Sequence, residues 1–320
     1  MNRKALVIGC AGQIGVELSV KLISELGVEN VWLSDIRKPE AKEIENAQFM
    51  ILDALDKQAI ETLVKANEIS EIYLLAAALS AVAEKKPLFS WELNVQSLLN
   101  VLEIAKEEPV EKVFWPSSIA VFGPDSPSEN TPQNCIMNPS TVYGISKLAG
   151  ERWCEYYYQN FNVDVRSLRF PGILGYKSDP GGGTTDYALW ALKNAAENTN
   201  YTSFLSPDSE LPMMHMDDAV EAIWKIMSVS AEKIKIRSSY NLAAASFSPK
   251  ELEKEIQKHS PDFELLYAPD FRQNIAASWP SSIDDSAARK DWSWSEKFNF
   301  ENLIADVIQG FKKSSQPETI

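Results

Sequence analysis

The sequence predicts an α/β protein: a doubly wound parallel sheet, followed by a smaller mixed α/β lobe. Three observations carry that expectation. Short β-rich runs alternate with helical patterns as far as residue 168, the rhythm of successive βαβ units. The first run ends in Gly9-Cys10-Ala11-Gly12-Gln13-Ile14-Gly15 and leads directly into a helical pattern. After about residue 170 the rhythm gives way to short, mixed segments.

The elements follow in order. Residues 5–8 make the first strand. A helix over 14–26 comes next, because Leu18, Leu22 and Leu26 recur every four residues and share one apolar face. Residues 31–34 and 49–52 are strands ending at Asp35 and Asp53. Between the third and fourth strands, 57–66 is helical, with Ile60 and Val64 on one face. Strands over 71–75, 112–115 and 163–168 alternate with long helices over 91–105 and 141–161. Right-handed crossovers wind such a sheet with helices on both faces. Residues 1–175 are therefore expected to form a nucleotide-binding domain of Rossmann type. Residues 176–185 read as a loop containing Gly181, Gly182 and Gly183. Helices near 186–198, 217–227, 249–258 and 301–311, with strands near 202–204, 239–242 and 264–267, make a substrate-binding lobe over 176–313. That lobe is interleaved in part with the first domain. Residues 314–320 read as a flexible tail.

Composition removes several function classes. The 320 residues hold 31 Lys+Arg against 45 Asp+Glu, a formal net charge of −14. Nucleic acid and anionic membrane surfaces are repelled by such a chain and are not expected as partners. Apolar residues, at 45%, suffice for a core. No apolar run approaches the roughly 20 residues of a membrane helix, and the N-terminal apolar stretch is too short for a secretion signal. A cytoplasmic protein is expected. Cys10, Cys135 and Cys154 are scattered and odd in number, so no disulfide framework is implied. His215 and His259 are the only histidines. They offer no zinc-ligand spacing, and neither sits in a hydrolase motif, so no metal is expected. His215 reads as structural, and Asp217 and Asp218 as helix-capping acids.

Gly9, Gly12, Gln13, Ile14 and Gly15 are assigned to a dinucleotide. Side chains at the glycines would keep a pyrophosphate off the backbone, and the helix that follows offers free N–H groups to it. Asp35 lies 20 residues past Gly15 and can accept from ribose hydroxyls, which favours NAD over a 2′-phosphorylated cofactor. Its neighbours Ile36 and Arg37 are assigned to the same end, although Arg37 also reads as a surface residue. Asp53 can face the adenine or cap a helix.

Tyr143 and Lys147 form a Y-x-x-x-K pair that shares one helix face. A free phenol titrates near ~10, so it needs a nearby cation to act as a base at neutral pH. Lys147 is expected to supply that charge and to hold the nicotinamide ribose. Trp115-Pro116-Ser117-Ser118 follows the fifth strand, at the strand ends where doubly wound sheets bind ligands. Ser118 can orient a reacting hydroxyl toward Tyr143, and Ser117 is the adjacent alternative.

Together these residues resemble the extended short-chain dehydrogenase/reductase superfamily. The resemblance implies that Leu75, Ala76 and Ala77 line the cofactor, with Asn94 close by. It also implies a homodimer that packs the Tyr143 helix and the long helix before it against their mates. Residues 115–123, 139–147, 150–156, 180–187, 236–243 and 278–285 are similar, more narrowly, to the short-chain type of L-threonine 3-dehydrogenase. That likeness implies metal-free oxidation of the threonine β-hydroxyl by NAD⁺, giving 2-amino-3-oxobutanoate. A nucleotide-sugar epimerase or dehydratase is the alternative. For a threonine substrate, the residue 181–186 stretch opens a helix whose N-terminus can receive the carboxylate, with Thr184 and Thr185 adding hydroxyls. Either threonine can also cap that helix. Ser80, expected in a loop beside the nicotinamide, is assigned to the amine or carboxylate. Trp279 is expected to close over the methyl group.

Overall fold

A computed structural model of the chain describes residues 3–178 and 180–314. The first half alternates as expected: β1 (Ala5–Ile8), α1 (Gln13–Leu26), β2 (Val31–Asp35), β3 (Gln48–Ile51), α2 (Lys57–Asn67) and β4 (Glu71–Leu74). Then come α3 (Ser80–Lys85), α4 (Pro87–Trp91), α5 (Ser97–Glu107), β5 (Lys112–Ser118), α6 (Val142–Phe161), β6 (Val165–Phe170) and β7 (Gly172–Leu174). The remainder holds α7 (Asp186–Ala196), β8 (Tyr201–Ser203), β9 (Leu211–His215), α8 (Met216–Ser228), β10 (Tyr240–Asn241) and β11 (Ala245–Phe247). It ends with α9 (Pro249–Gln257), β12 (Leu265–Tyr267), α10 (Arg272–Ala276), α11 (Ser286–Trp292) and α12 (Phe300–Ser314). Ser314 closes α12; the rest of the expected tail, 315–320, lies outside the described residues.

The main sheet has seven strands in the order β10-β6-β5-β4-β1-β2-β3, and every pairing is parallel. The winding reverses between β1 and β4. Strand β1 alternates cleanly: Ala5 and Val7 enter the core on one face, Leu6 and Ile8 the core on the other. Helix α8 packs against α1, and β10 extends the sheet beyond β6, so the second half returns to the first domain twice. A third core gathers α7, α9 and α12 with Ile119–Val121. Among the described residues no helix is long and apolar enough to cross a membrane.

Four expectations are corrected. The 91–105 helix is three pieces: α4, a π-helical turn Glu92–Gln96, and α5. The widened turn buries Asn94, whose amide clasps the Ala78 backbone. The sixth strand starts later, at Val165, because Val163 still closes α6 by donating to the Tyr157 carbonyl. Residues 80–85 are helical rather than a loop. The three-stranded sheet β11-β9-β7 was not anticipated. Its strands are three to five residues long, too short for a period to show.

Candidate active site

Two adjoining cavities run along the carboxyl ends of the strands. The first surrounds the turn after β1. Gly9 has φ +94°, and a Cβ there would stand 2.6 Å from the Ala76 nitrogen. A Cβ at Gly15 would stand 2.2 Å from the Gly9 carbonyl oxygen. Gly12 forms the N-cap of α1 with no side-chain cap, so the first-turn N–H groups stay available for an anion. Asp35 Oδ2 accepts from the Ala11 N–H at 3.0 Å, tying β2 to the loop, and Oδ1 accepts from Arg37. Arg37 Nη2 reaches the Ala11 carbonyl at 3.4 Å. Ile36 stands 71% exposed on the rim. Asp53 lines the same cavity and accepts from the Leu55 N–H at 2.9 Å. It is not the cap of α2; that is Asp56, which accepts from Ala59. Leu75, Ala76 and Ala77 form the far wall. These bare backbone donors, with a carboxylate 35 at the next strand end, fit a dinucleotide.

Asn94 lines neither cavity. Its Oδ1 accepts from the Ala78 N–H at 2.8 Å, and its Nδ2 donates to the Ala78 carbonyl at 3.1 Å and to Ser146 Oγ at 3.1 Å. Ser146 in turn donates to the Tyr143 carbonyl. Asn94 thus braces the 75–78 wall against the helix carrying Tyr143.

The second cavity meets the first at Leu75 and Ala77. Gln13, Ile14, Ser80, Ser117, Ser118, Tyr143, Lys147, Thr184, Thr185 and Trp279 all line it. Helix α6 starts where Thr141 Oγ1 accepts from the Gly144 N–H. At Gly144 a Cβ would lie 2.1 Å from the Ala120 carbonyl oxygen, so α6 can press close behind the end of β5. That approach brings Tyr143 to the Ser118 hydroxyl. Of the two serines, Ser118 faces the phenol; Ser117 Oγ donates instead to Glu151 Oε1 at 2.6 Å.

The expected effect of Lys147 on Tyr143 is corrected. Burial pushes the Tyr143 phenol up to about 12, opposed by the hydrogen bond from Ser118. Lys147 does not offset this, because its ammonium donates to the Pro116 carbonyl at 2.6 Å and lies 5.5 Å from the Tyr143 ring centroid. Burial itself pulls Lys147 down to about 7, which weakens the charge the phenol would need.

Ser80 and Thr184 are buried and bonded to each other: the hydroxyls are 3.0 Å apart, and Ser80 Oγ also accepts the Thr184 N–H at 3.1 Å. Thr185 is the N-cap of α7, yet its side chain caps nothing. Asp186 does the local work, accepting from the Gly182 and Gly183 N–H groups at 2.8 Å each. The Trp279 indole N–H is buried without a partner. His215 is structural: Nδ1 accepts from Asp217, Nε2 meets Asp306, and the ring stacks on Phe298 at 3.8 Å. Among the described residues no three His, Cys, Asp or Glu side chains gather to hold a metal ion.

Sequence reasoning missed Phe170, Pro171, Ile173 and Met216 in the cavity wall. The end of β6, the short β7 and the first residue of α8 bring them there, and β7 is too short to leave a periodic signal. It also missed the buried Glu151–Arg169 pair behind Ser117. No local pattern joins these two residues, which lie 18 positions apart on different elements.

A Gly-rich turn at a doubly wound switch point, leading to a Tyr–Lys helix, defines an oxidoreductase of the extended short-chain dehydrogenase/reductase class. The model of the NAD dependent epimerase/dehydratase family matches residues 5–243, and the chain belongs to that family; its cofactor is NAD. An uncharacterised epimerase/dehydratase of Staphylococcus haemolyticus is 42% identical over 315 residues, spanning 98% of this chain and 99% of that one. The holo form of an L-threonine dehydrogenase from Cupriavidus necator superposes with a TM-score of 0.94 at 46% identity, over 97% of this chain and 100% of the other. A monomeric L-threonine 3-dehydrogenase from a metagenome gives 0.94 at 43% identity, over 98% of this chain and 100% of the other.

Proposed function

We propose that the protein oxidises L-threonine at its β-hydroxyl with NAD⁺, yielding 2-amino-3-oxobutanoate. The observation that carries this reading is the charge of the second cavity. Its lining includes one cation, Lys147, and one anion, Asp186. A small zwitterion suits that balance. A nucleotide sugar, the alternative substrate, needs cations for its diphosphate, and among the described residues this lining supplies no second one. The likeness to solved threonine dehydrogenases supports the same choice.

The first cavity would hold the cofactor: Gly9, Gly12, Gln13, Ile14 and Gly15 at the pyrophosphate, and Asp35 at the adenosine ribose. Ile36, Arg37 and Asp53 would flank the adenine, with Leu75, Ala76 and Ala77 as the wall and Asn94 and Ser117 behind it. NAD⁺, when bound, supplies the acceptor for the hydride leaving the threonine β-carbon. Tyr143 takes the hydroxyl proton, Ser118 holds that oxygen, and Lys147 holds the nicotinamide ribose. Thr184, Thr185 and Ser80 face the carboxylate, and Trp279 closes the pocket. Selection of substrate belongs to the 176–313 lobe.

A homodimer in the cytoplasm completes the reading. Helices α4 and α6 pack together and leave Leu88 84%, Phe89 51% and Ile145 46% exposed, a surface that a second copy would cover.

The test is absorbance at the NADH band with NAD⁺, L-threonine and a chelator. A threonine-dependent rise is expected; an epimerase would show none. Tyr143→Phe should lower turnover about 10²–10⁴-fold while NAD⁺ affinity stays within about threefold. Near-normal turnover in that variant would remove the base assignment.

A further inference from the structure

Behind the Tyr143–Lys147 face lies a buried cluster that the proposed chemistry leaves unused. Ser117 on β5, Arg169 on β6 and Asn241 on β10 stand in register across three neighbouring parallel strands. Glu151, one helical turn past Lys147 on α6, sits over them with no exposed surface. Its Oε1 accepts from Ser117 Oγ at 2.6 Å and from Arg169 Nε at 2.8 Å; Oε2 accepts from Arg169 Nη2 at 2.8 Å. Arg169 is anchored onward by Asn241 Oδ1 and the Gln133 carbonyl, both at 3.0 Å. The residue before Ser117 is Pro116, whose carbonyl receives the Lys147 ammonium. The carboxylate that fixes Ser117 therefore also fixes the oxygen that aims Lys147.

Charge points the same way. Lys147 is 2% exposed, and burial works against its ammonium. Two titratable groups on its own helix counter this, Cys154 and Glu151. Burial pushes the Cys154 thiol far up, so it is neutral at working pH. Tyr143 is neutral there as well. Glu151 is thus the anion on that helix whose charge supports the Lys147 ammonium, and it is itself paired with Arg169.

We propose that Glu151, clamped by Ser117 and Arg169, is a positioning residue that keeps Lys147 charged and aimed beside Tyr143. The inference rests on the Tyr–Lys reading above and adds to it the group that maintains the lysine.

The first readout needs no cofactor. Carbon-13 NMR of apoprotein labelled at lysine Cε, assigned with Lys147→Met, follows the Lys147 titration, whose midpoint is expected at about 7. Removing a nearby anion lowers the pKa of a cation, so Glu151→Gln should move that midpoint down by about one unit. In kinetics with NAD⁺ and threonine, its pH–rate profile should move to lower pH. The maximal kcat should fall about tenfold or more, with both KM values within about threefold. Glu151→Asp, which keeps the charge, should restore the position of the profile. A midpoint and profile unmoved in Glu151→Gln, or a loss carried wholly by KM, would overturn the proposal. If Glu151→Gln fails to fold, Glu151→Gln/Arg169→Gln removes both buried charges, and a downward move, smaller because a cation is lost as well, is required of it. Tyr143→Phe separates the failures. Retained turnover there sinks the Tyr–Lys reading itself; lost turnover there with an unmoved Glu151→Gln profile sinks only this inference.

Discussion

Gly15→Ala and Gly12→Ala place the same methyl group on the same loop, and the structure predicts different outcomes. At Gly15 the new Cβ would stand 2.2 Å from the Gly9 carbonyl oxygen and 2.8 Å from Cys10 C and Cα. All three are main-chain atoms, so no side-chain rotation gives relief. Ordinary contact begins at about 3.4 Å, so the first turn of α1 must retreat by about 1.2 Å. Overpacking of this kind costs about 1–3 kcal/mol. At roughly 2–4 °C per kcal/mol, the thermal midpoint of the apoprotein should fall by roughly 2–12 °C. The same retreat takes first-turn N–H groups away from the pyrophosphate. Hydrogen bonds to a charged group contribute about 1.5–3 kcal/mol each, so losing one or two of them raises the NAD⁺ Kd about 100-fold. At Gly12 the nearest protein atom to the new Cβ is Gly9 O, at 3.5 Å. The apoprotein midpoint should then stay within about 2 °C, and the whole penalty should fall on cofactor binding. Scanning calorimetry of the apoproteins and titration calorimetry with NAD⁺ measure both quantities. The reasoning is refuted if Gly15→Ala binds NAD⁺ within threefold of the parent. It is equally refuted if Gly12→Ala loses as much stability as Gly15→Ala.

Ser80→Ala strands the buried Thr184 N–H, a loss of about 1–3 kcal/mol at the 181–185 segment; the threonine KM should rise while NAD⁺ affinity holds, and an unchanged KM would count against the Ser80–Thr184 contact. Asp164 holds two buried arginines, Arg166 and Arg237. Burial works against its carboxylate, but those arginines outweigh burial and keep the carboxyl below its ordinary value. Asp164→Asn should therefore cost about 3–5 kcal/mol at pH 7 by urea unfolding. Because the folded pKa is depressed, that contribution is complete above about pH 4 and fades as pH falls through the folded value; a gap that widens in acid would contradict it. Leu88→Glu should halve the particle mass by light scattering if α4 and α6 form the dimer face, and a monomeric parent would dismiss the dimer outright.

Legibility followed length and period. Strands β1 and β2 and helices α1 and α2 were plain in the sequence, because each carries apolar residues at its own period and is followed or closed by a glycine or an acid. The π-helical turn at Asn94 was not. Its cause is tertiary: a buried amide that satisfies both polar groups of Ala78, 13 residues before the helix pattern's predicted start at 91. Strands β7 and β9 were hidden for a related reason. Leu211–His215 is buried along its whole length, so it has no alternation to read.

The site shows where residue identity stops being informative. Tyr143 and Lys147 could be paired from a four-residue spacing, since a helix fixes which side chains share a face. The spacing says nothing about where the ammonium points. In the fold it turns to the Pro116 carbonyl, burial pulls it toward 7, and the phenol rises to about 12. A Tyr–Lys pair is thus not by itself a working base. Something must hold the lysine in its charged form inside a closed core, and an anion must be brought to it without being neutralised in turn. Glu151 meets both conditions only because three strands deliver Ser117, Arg169 and Asn241 to one line beneath it. Those residues are 34, 18 and 90 positions from Glu151 in the chain, so no local pattern could have joined them. The motif announces the reaction; the register of the sheet determines whether the motif can run it.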